Sequence, residues 1–278
     1  MTNWLITGVS GGLGRALAQA ALARGDKVAG TVRKAADLDA FEALRPGLAR
    51  GYLADMADEA AVRAVVEAAE ADLGGLDILV NNAGYGLVGA IEEASLSEIR
   101  AQFEVNVHGP IAAIQAVLPY FRQRRAGHVI TITSVSGVAV WAGTGVYCAS
   151  KHAIEAITRT LAQEVEGLGI KVTNIEPGGM RTDYAGRSMV LTSASIADYD
   201  DGPGHAARRI LGEHAGHEAG DPAKIAQVIL TVADMEKPPL QLLLGADALH
   251  YATDTLTAFQ AEIERWSDLT LSTAFDQP

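Results

Sequence analysis

The stretch Trp4-Leu5-Ile6-Thr7-Gly8-Val9-Ser10-Gly11-Gly12-Leu13-Gly14 decides the fold. A short apolar run ends in a cluster of glycines, and a helical pattern begins at once. Glycines let a chain turn tightly and let backbone N–H groups come close to a pyrophosphate. The helix that follows adds the partial positive charge of its N-terminus. Strand, glycine turn and helix in that order predict the first unit of a dinucleotide-binding fold, with Thr7, Gly8, Ser10, Gly12, Leu13 and Gly14 around the anion.

Outward from this stretch the alternation continues. Strand candidates are Trp4–Thr7, Lys27–Val32, Gly51–Ala54, Asp77–Val80, His128–Thr133, Lys171–Ile175 and Leu240–Leu244. Alanine-rich stretches at helical spacing lie between them, among them Ala60–Leu73 and His152–Leu168. Continuous apolar strands alternating with helices predict an α/β fold, a parallel sheet covered on both faces. No linker divides the 278 residues, which predicts a single dinucleotide-binding and catalytic domain over 1–278. The segment 178–220, rich in Gly, Ser, Asp and His, reads as an irregular substrate lid within it. Residues 267–278 read as a C-terminal tail.

Composition narrows the function classes. The chain is 49% hydrophobic and 20% charged, enough apolar content for a full core. Its net charge of -12 repels phosphate backbones and anionic membranes, which argues against a nucleic-acid or membrane partner. One cysteine makes no internal disulfide. The N-terminus lacks a basic region followed by a long apolar run, so a soluble, cytoplasmic protein is expected.

The second strand ends Gly30-Thr31-Val32-Arg33-Lys34. An acid near this point grips the ribose 2′-hydroxyl of NAD, whereas a base accommodates the 2′-phosphate of NADP. Arg33 and Lys34 stand there and no acid does. A guanidinium matches phosphate geometry with two hydrogen bonds. The expected cofactor is therefore NADP(H), with NAD(H) possible.

Tyr147 and Lys151 open a helical segment four residues apart, on one helix face. A free phenol titrates near ~10, too high for efficient acid–base work at neutral pH. A neighbouring ammonium favours the phenolate. Ser134 ends an apolar strand, where ligands sit in open α/β sheets. Asn106 follows another apolar stretch, and Asn81-Asn82-Ala83-Gly84 follows the fourth strand.

Together these motifs resemble the short-chain dehydrogenase/reductase family over about residues 3 to 182. The family's TGxxxGxG turn stands as Thr7–Gly14 and its NNAG as Asn81–Gly84. Its Asn-Ser-Tyr-Lys tetrad matches Asn106, Ser134, Tyr147 and Lys151. Its acidic residue near the adenine matches Asp55, beside Met56, and its Pro-Gly turn with a following threonine matches Pro177, Gly178 and Thr182. Asn82, Ala83 and Gly84 join the cofactor set with Tyr147 and Lys151. The resemblance implies a Rossmann-like doubly wound parallel sheet of about seven strands with helices on both faces, and hydride transfer with NAD(P). It implies that Tyr147 gives or takes the proton, Ser134 hydrogen-bonds the same oxygen, Lys151 tunes the tyrosine and holds the ribose, and Asn106 anchors a water. It also implies a homo-oligomer, dimer or tetramer.

The chain departs from the family pattern in two places. Gly245-Ala246-Asp247-Ala248 and a helical stretch to about Trp266 replace the usual Asp-Gly-Gly ending. That ending resembles the branch containing 17β-hydroxysteroid and retinol dehydrogenases. Gly11 occupies a turn position where some NADP-preferring members carry a base, so a 2′-phosphate preference rests on Arg33 and Lys34.

Tyr85, Val140, Trp141, Met180, Tyr184 and Met189 lie near the motifs or in the lid. Their apolar and aromatic character suits an apolar carbonyl or alcohol substrate, steroid-like or an aromatic ketone. A sugar or polyol dehydrogenase is the alternative enzyme. A non-catalytic NADP-binding sensor or scaffold is the alternative of another class, against which the complete tetrad argues. His205, His214 and His217 lack a supporting ligand pattern, so no metal site is expected. Cys148 reads as a small buried residue.

Overall fold

The computed structural model describes residues 1–182, 188–214 and 216–275. In chain order the principal elements begin with β1 (Asn3–Ile6), α1 (Gly12–Ala23), β2 (Lys27–Val32), α2 (Ala35–Glu42), β3 (Ala49–Leu53), α3 (Glu59–Leu73), β4 (Ile78–Asn81) and β5 (Gly86–Val88). They continue with α4 (Leu96–Phe103), α5 (Gly109–Arg124), β6 (Gly127–Ile132), α6 (Gly145–Glu164), β7 (Ile170–Pro177) and β8 (Met189–Leu191). The chain then forms α7 (Pro203–His214), α8 (Pro222–Asp234), β9 (Gln241–Leu244), α9 (Ala246–Arg265) and α10 (Ser267–Leu271).

Seven strands form one parallel sheet in the order β3-β2-β1-β4-β6-β7-β9. The sheet is the doubly wound one expected from the apolar runs. The chain winds outward from β1 to β3, then returns to lay β4 on the other side of β1. Register pairs Leu5 with Ala29 on one side and with Leu79 on the other. That reversal splays the connections apart and opens a crevice beyond the strand ends.

Each face is covered because each helix carries one apolar stripe. On α1, Leu13, Leu17, Ala18, Ala21 and Leu22 are buried at helical spacing and meet Ile225, Ala226 and Ile229 of α8 over one face. On the other face, Val62, Val65, Val66 and Ala69 of α3 pack with Ala113, Val117 and Phe121 of α5. Fully burying each Val, Leu or Phe contributes roughly 1.5–3 kcal/mol. Helix α3 starts where Asp58 accepts a hydrogen bond from Ala61 N and stops at Gly74, whose φ of 76° is left-handed.

Two regions differ from the sequence expectation. The 178–220 segment is not irregular throughout. Within it β8 pairs in parallel with β5, and α7 follows a 3-10 turn at Ala197–Tyr199. Sequence patterning misses this because β5 and β8 are three-residue strands, too short to show a period. Glu93 anchors the segment from outside. Its buried carboxylate accepts from Ala90 N, Ile196 N and Arg208, and lies 2.7 Å from His205 Nε2. Burial works to raise the Glu93 carboxyl, but these donors outweigh it and hold the group down to about 2. The expected tail begins with a short helix, α10. No helix among the described residues is long and apolar enough to cross a membrane.

Candidate active site

The crevice between the ends of β1 and β4 gathers residues expected to hold the cofactor. Thr7 follows β1, is buried, and its hydroxyl oxygen accepts from Asn82 N at 2.9 Å and Ala83 N at 3.0 Å. The Asn82 side-chain amide donates back to Thr7 O at 2.8 Å and Gly8 O at 3.2 Å. These bonds tie the glycine turn to the Asn82–Gly84 loop. The turn demands its glycines. Gly8 has φ +75°, and a Cβ on Gly14 would collide with the Asn82 amide and Gly8 O.

Helix α1 opens from Gly11, which has no side chain to cap it, so its first N–H groups depend on partners from outside the helix. A cradle too tight for side chains, ending at a helix N-terminus, fits a dinucleotide pyrophosphate. Ser10 is exposed beside it and Leu13 is buried under it. From the far side, the Thr182 side chain stands 3.7 Å from where a Cβ on Gly12 would lie.

Arg33 and Lys34 are exposed at the end of β2, and Lys34 occupies the N-cap of α2. Arg33 faces Tyr85. Burial raises the Tyr85 phenol, and the Arg33 charge works in the opposite direction. The Asp55 carboxylate accepts from Ala57 N at 3.0 Å, and Met56 is buried with its backbone pressed against Gly109.

Helix α6 presents Tyr147 and Lys151. The Lys151 Nζ is 5.9 Å from the centroid of the Tyr147 ring and donates to Ile132 O at 2.9 Å. Lys151 is only 7% exposed, and burial lowers its ammonium to about 8, with Glu155 acting against that fall. Ser134 follows β6, and its Oγ accepts from Ser136 N at 3.0 Å. The next turn, Val135–Gly137, lies against α6, with Gly137 close to Lys151 O and Glu155 Cβ.

Asn106 lies in a π-helical turn, Glu104–His108, between α4 and α5. Such turns displace one ladder bond and redirect a side chain. Here Asn106 Oδ1 accepts from Tyr85 N at 3.1 Å, and Nδ2 donates to Tyr85 O at 2.9 Å and Ser150 Oγ at 3.1 Å. Ser150 Oγ donates to Tyr147 O at 2.7 Å. The Asn106 side chain thus fixes Tyr85 against the Tyr147 turn of α6. A Cβ on Gly84 would lie 3.1 Å from Asn106 Oδ1 and 3.8 Å from Lys151 Nζ, so the loop after β4 meets both.

The residues expected to line the substrate pocket separate. Tyr85 is half-buried, and Met189 pairs with the next residue, Gly86. Trp141 stacks edge-on with Tyr251 of α9, ring centroids 5.3 Å apart, beside Val140, which is 68% exposed. Met180 packs against the core shared by α1 and α8. Tyr184 lies outside the described residues.

Three features of the site escape sequence reading. Asp247 at the start of α9 accepts from Gly179 N at 2.7 Å and closely abuts Gly178, so it fixes the turn after Pro177. Ser150 links Asn106 to α6. Glu155 and Glu176 are buried behind Lys151 and are bridged by the side-chain amide of Gln241, itself an exposed residue. The sole sequence signal for that arrangement is Glu155 four residues beyond Lys151.

The short chain dehydrogenase family model matches residues 2–189. An oxidoreductase of Botryotinia fuckeliana, BOA17, is 38% identical over 273 residues, covering 98% of each chain. A 3-ketodihydrosphingosine reductase of Bacteroides thetaiotaomicron is 33% identical over 242 residues, 87% of each. The crystal structure of a short-chain dehydrogenase from Streptomyces avermitilis superposes with a TM-score of 0.91 at 38% identity, covering 99% of this chain and 100% of that one.

Thr7→Val keeps the shape of the side chain and removes the acceptor for two N–H groups. Orphaning a buried donor costs about 1–3 kcal/mol. The urea midpoint of the variant should fall accordingly; an unchanged midpoint would mean the two loops are held by other contacts.

Proposed function

Because the chain belongs to the short-chain dehydrogenase/reductase family, and is thus an NAD(P)-dependent oxidoreductase, we propose that it interconverts a ketone or aldehyde and an alcohol with NADP(H), using Tyr147 as general acid/base. The observation that supports this most is the buried Lys151 ammonium beside the Tyr147 ring. Its positive charge favours the phenolate, so Tyr147 can give a proton to a carbonyl oxygen and take it back from an alcohol. Ser134 Oγ already accepts from Ser136 N, which leaves its own O–H to donate to the same substrate oxygen as charge develops. Bound NADP(H) supplies or accepts the hydride.

The remaining residues bind and orient. The turn Thr7–Gly14 and the N-terminus of α1 hold the pyrophosphate. Asp55 lies toward the adenine, and Pro177, Gly178 and Thr182 close the nicotinamide side. Arg33 and Lys34 take the 2′-phosphate, which underlies the NADP(H) preference. Tyr85, Met189, Trp141 and Val140 give the pocket an apolar wall for a steroid-like or aromatic ketone. A relative named for reducing a 3-keto compound agrees with the ketone class. The cytoplasmic location expected from the sequence belongs to the same reading, as does a homodimer.

Helix α9 carries the dimer. Its buried face, Ala248 and Ala252, continues past the edge of the body as Leu256, Phe259, Ile263 and Trp266, all exposed. The 3-4-3 spacing is that of a helix-pair seam, which a second α9 complements. Leu249 and Leu269 extend the same exposed apolar surface. Sedimentation should show a dimer that Phe259→Glu with Ile263→Glu converts to monomer; a wild-type monomer at micromolar concentration would contradict the assignment.

Tyr147→Phe removes the proton donor and keeps the ring. Ketone reduction followed by NADPH absorbance should fall about 10²–10⁴-fold with NADPH affinity retained. In the same assay Arg33→Ala should erase most of the preference for NADPH over NADH. Near-normal turnover in the first variant would overturn the acid/base assignment, and an unchanged preference in the second would overturn the 2′-phosphate site.

A further inference from the structure

We propose that Glu155 and Glu176 share one proton and act as a single negative charge that positions Lys151 and keeps it an ammonium beneath Tyr147. The proposal rests on the reading of Tyr147 as acid/base. It deepens that reading by naming what balances the buried lysine.

The geometry comes from three elements. On α6, Tyr147, Lys151 and Glu155 follow one another at intervals of four, so they rise along one face. On β7, Asn174 and Glu176 point to that face, and on β9 Gln241 pairs in register with Asn174. Glu155 is 3% exposed and Glu176 2%. Glu155 Oε1 accepts from Asn174 Nδ2 at 2.7 Å and from Gln241 Nε2 at 3.1 Å. The same Gln241 nitrogen donates to Glu176 Oε1 at 3.0 Å. One amide group therefore spans both carboxyls.

Among the described residues, Glu155 Oε2 finds no donor. A buried carboxylate oxygen without a donor is costly, and two adjacent buried carboxylates are more so. One proton held between Glu155 and Glu176 removes both costs, because it supplies the missing donor and halves the charge. Burial, and next the Glu155 charge, push the Glu176 carboxyl up to about 7, in the direction that sharing requires.

The charge balance then closes. A buried ammonium needs a counter-charge. The charged groups that act on the pair are the buried Lys151 and, on the exposed side of the same helix, Arg159. From β7 and β9 come the neutral amides of Asn174 and Gln241. From the turn after β6, Gly137 lies against Glu155 Cβ. The carboxylate of Asp247, at the same end of β7, is held by Gly179 N. Among the buried groups one ammonium thus meets one shared negative charge, and the exposed Arg159 is a second cation on the solvent side of Glu176.

A shared charge behaves differently from two independent ones. Glu155→Gln or Glu176→Gln leaves one carboxylate, which ionises alone and keeps the counter-charge. The double variant removes it. In the full-length protein, the ¹⁵N resonance of Lys151 Nζ should titrate within about 0.3 pH unit of wild type in each single variant and fall by about one unit or more in the double. The pH profile of kcat should move in the double variant and stay in place in both singles. Infrared spectra at neutral pH should show a protonated carboxyl band in wild type that is lost in either single variant. An unmoved Lys151 titration in the double variant, single variants as altered as the double, or no protonated carboxyl in wild type would each overturn the shared charge. Should the double variant not fold, the infrared band in wild type and the singles decides the matter. A Lys151 shift as expected in a wild-type protein that turns over no carbonyl compound would leave the pair standing and defeat the Tyr147 reading instead.

Discussion

Two hydrogen bonds into the Thr7 hydroxyl, from Asn82 N and Ala83 N, hold the ends of β1 and β4 side by side where the winding of the sheet reverses. The rest of the site follows from that join. The glycine turn leaves β1 at Gly8 and delivers the N-terminus of α1 to the crevice. The loop after β4 leaves Asn82 in the other direction and reaches Gly84, against Asn106 and Lys151. Asn106 then grips Tyr85 and, through Ser150, the Tyr147 turn of α6. The glycine turn and the proposed proton donor are therefore linked through the backbone of 82–85 and a few hydrogen bonds, mostly buried or half-buried. Within such a chain a loosened bond displaces its neighbours, because the groups have no nearby water to turn to.

The sheet makes an uncommon allowance behind this chain. Strands of a parallel sheet covered on both faces are apolar almost throughout. Here β7 places Asn174 and Glu176 inward beneath α6, next to Glu155. Well-packed aliphatic side chains of similar volume are often as stable as buried ionic groups, or more so. Retained polarity at such a depth fits the proposed need for a counter-charge to Lys151.

Much of this was legible in the sequence, for a physical reason. Strands buried on both faces read as apolar runs, and helices covering them as periodic stripes, so the seven strands of the main sheet emerge within a few residues of their ends. Thr7–Gly14 and the Tyr147–Lys151 spacing are local patterns whose chemistry depends on nearby chain. What stayed hidden depends on distant chain. Glu155 sits four residues from Lys151, but Gln241 and Glu176 reach it through strand register. Asp247 meets Gly178 only because α9 starts where β7 ends. The short strands β5 and β8 have no period of their own and exist because they pair. Helix α7 sits in polar, glycine-rich sequence and is fastened by Glu93, more than a hundred residues earlier.

The central claim is that the crevice brings a nicotinamide and a carbonyl carbon together for direct hydride transfer. The most direct test uses NADPH deuterated at the transferable position of its nicotinamide, with an aryl ketone as acceptor and mass spectrometry of the alcohol formed. Deuterium on the carbinol carbon is the predicted result. An alcohol without deuterium, or label recovered unchanged in the cofactor, would contradict the claim.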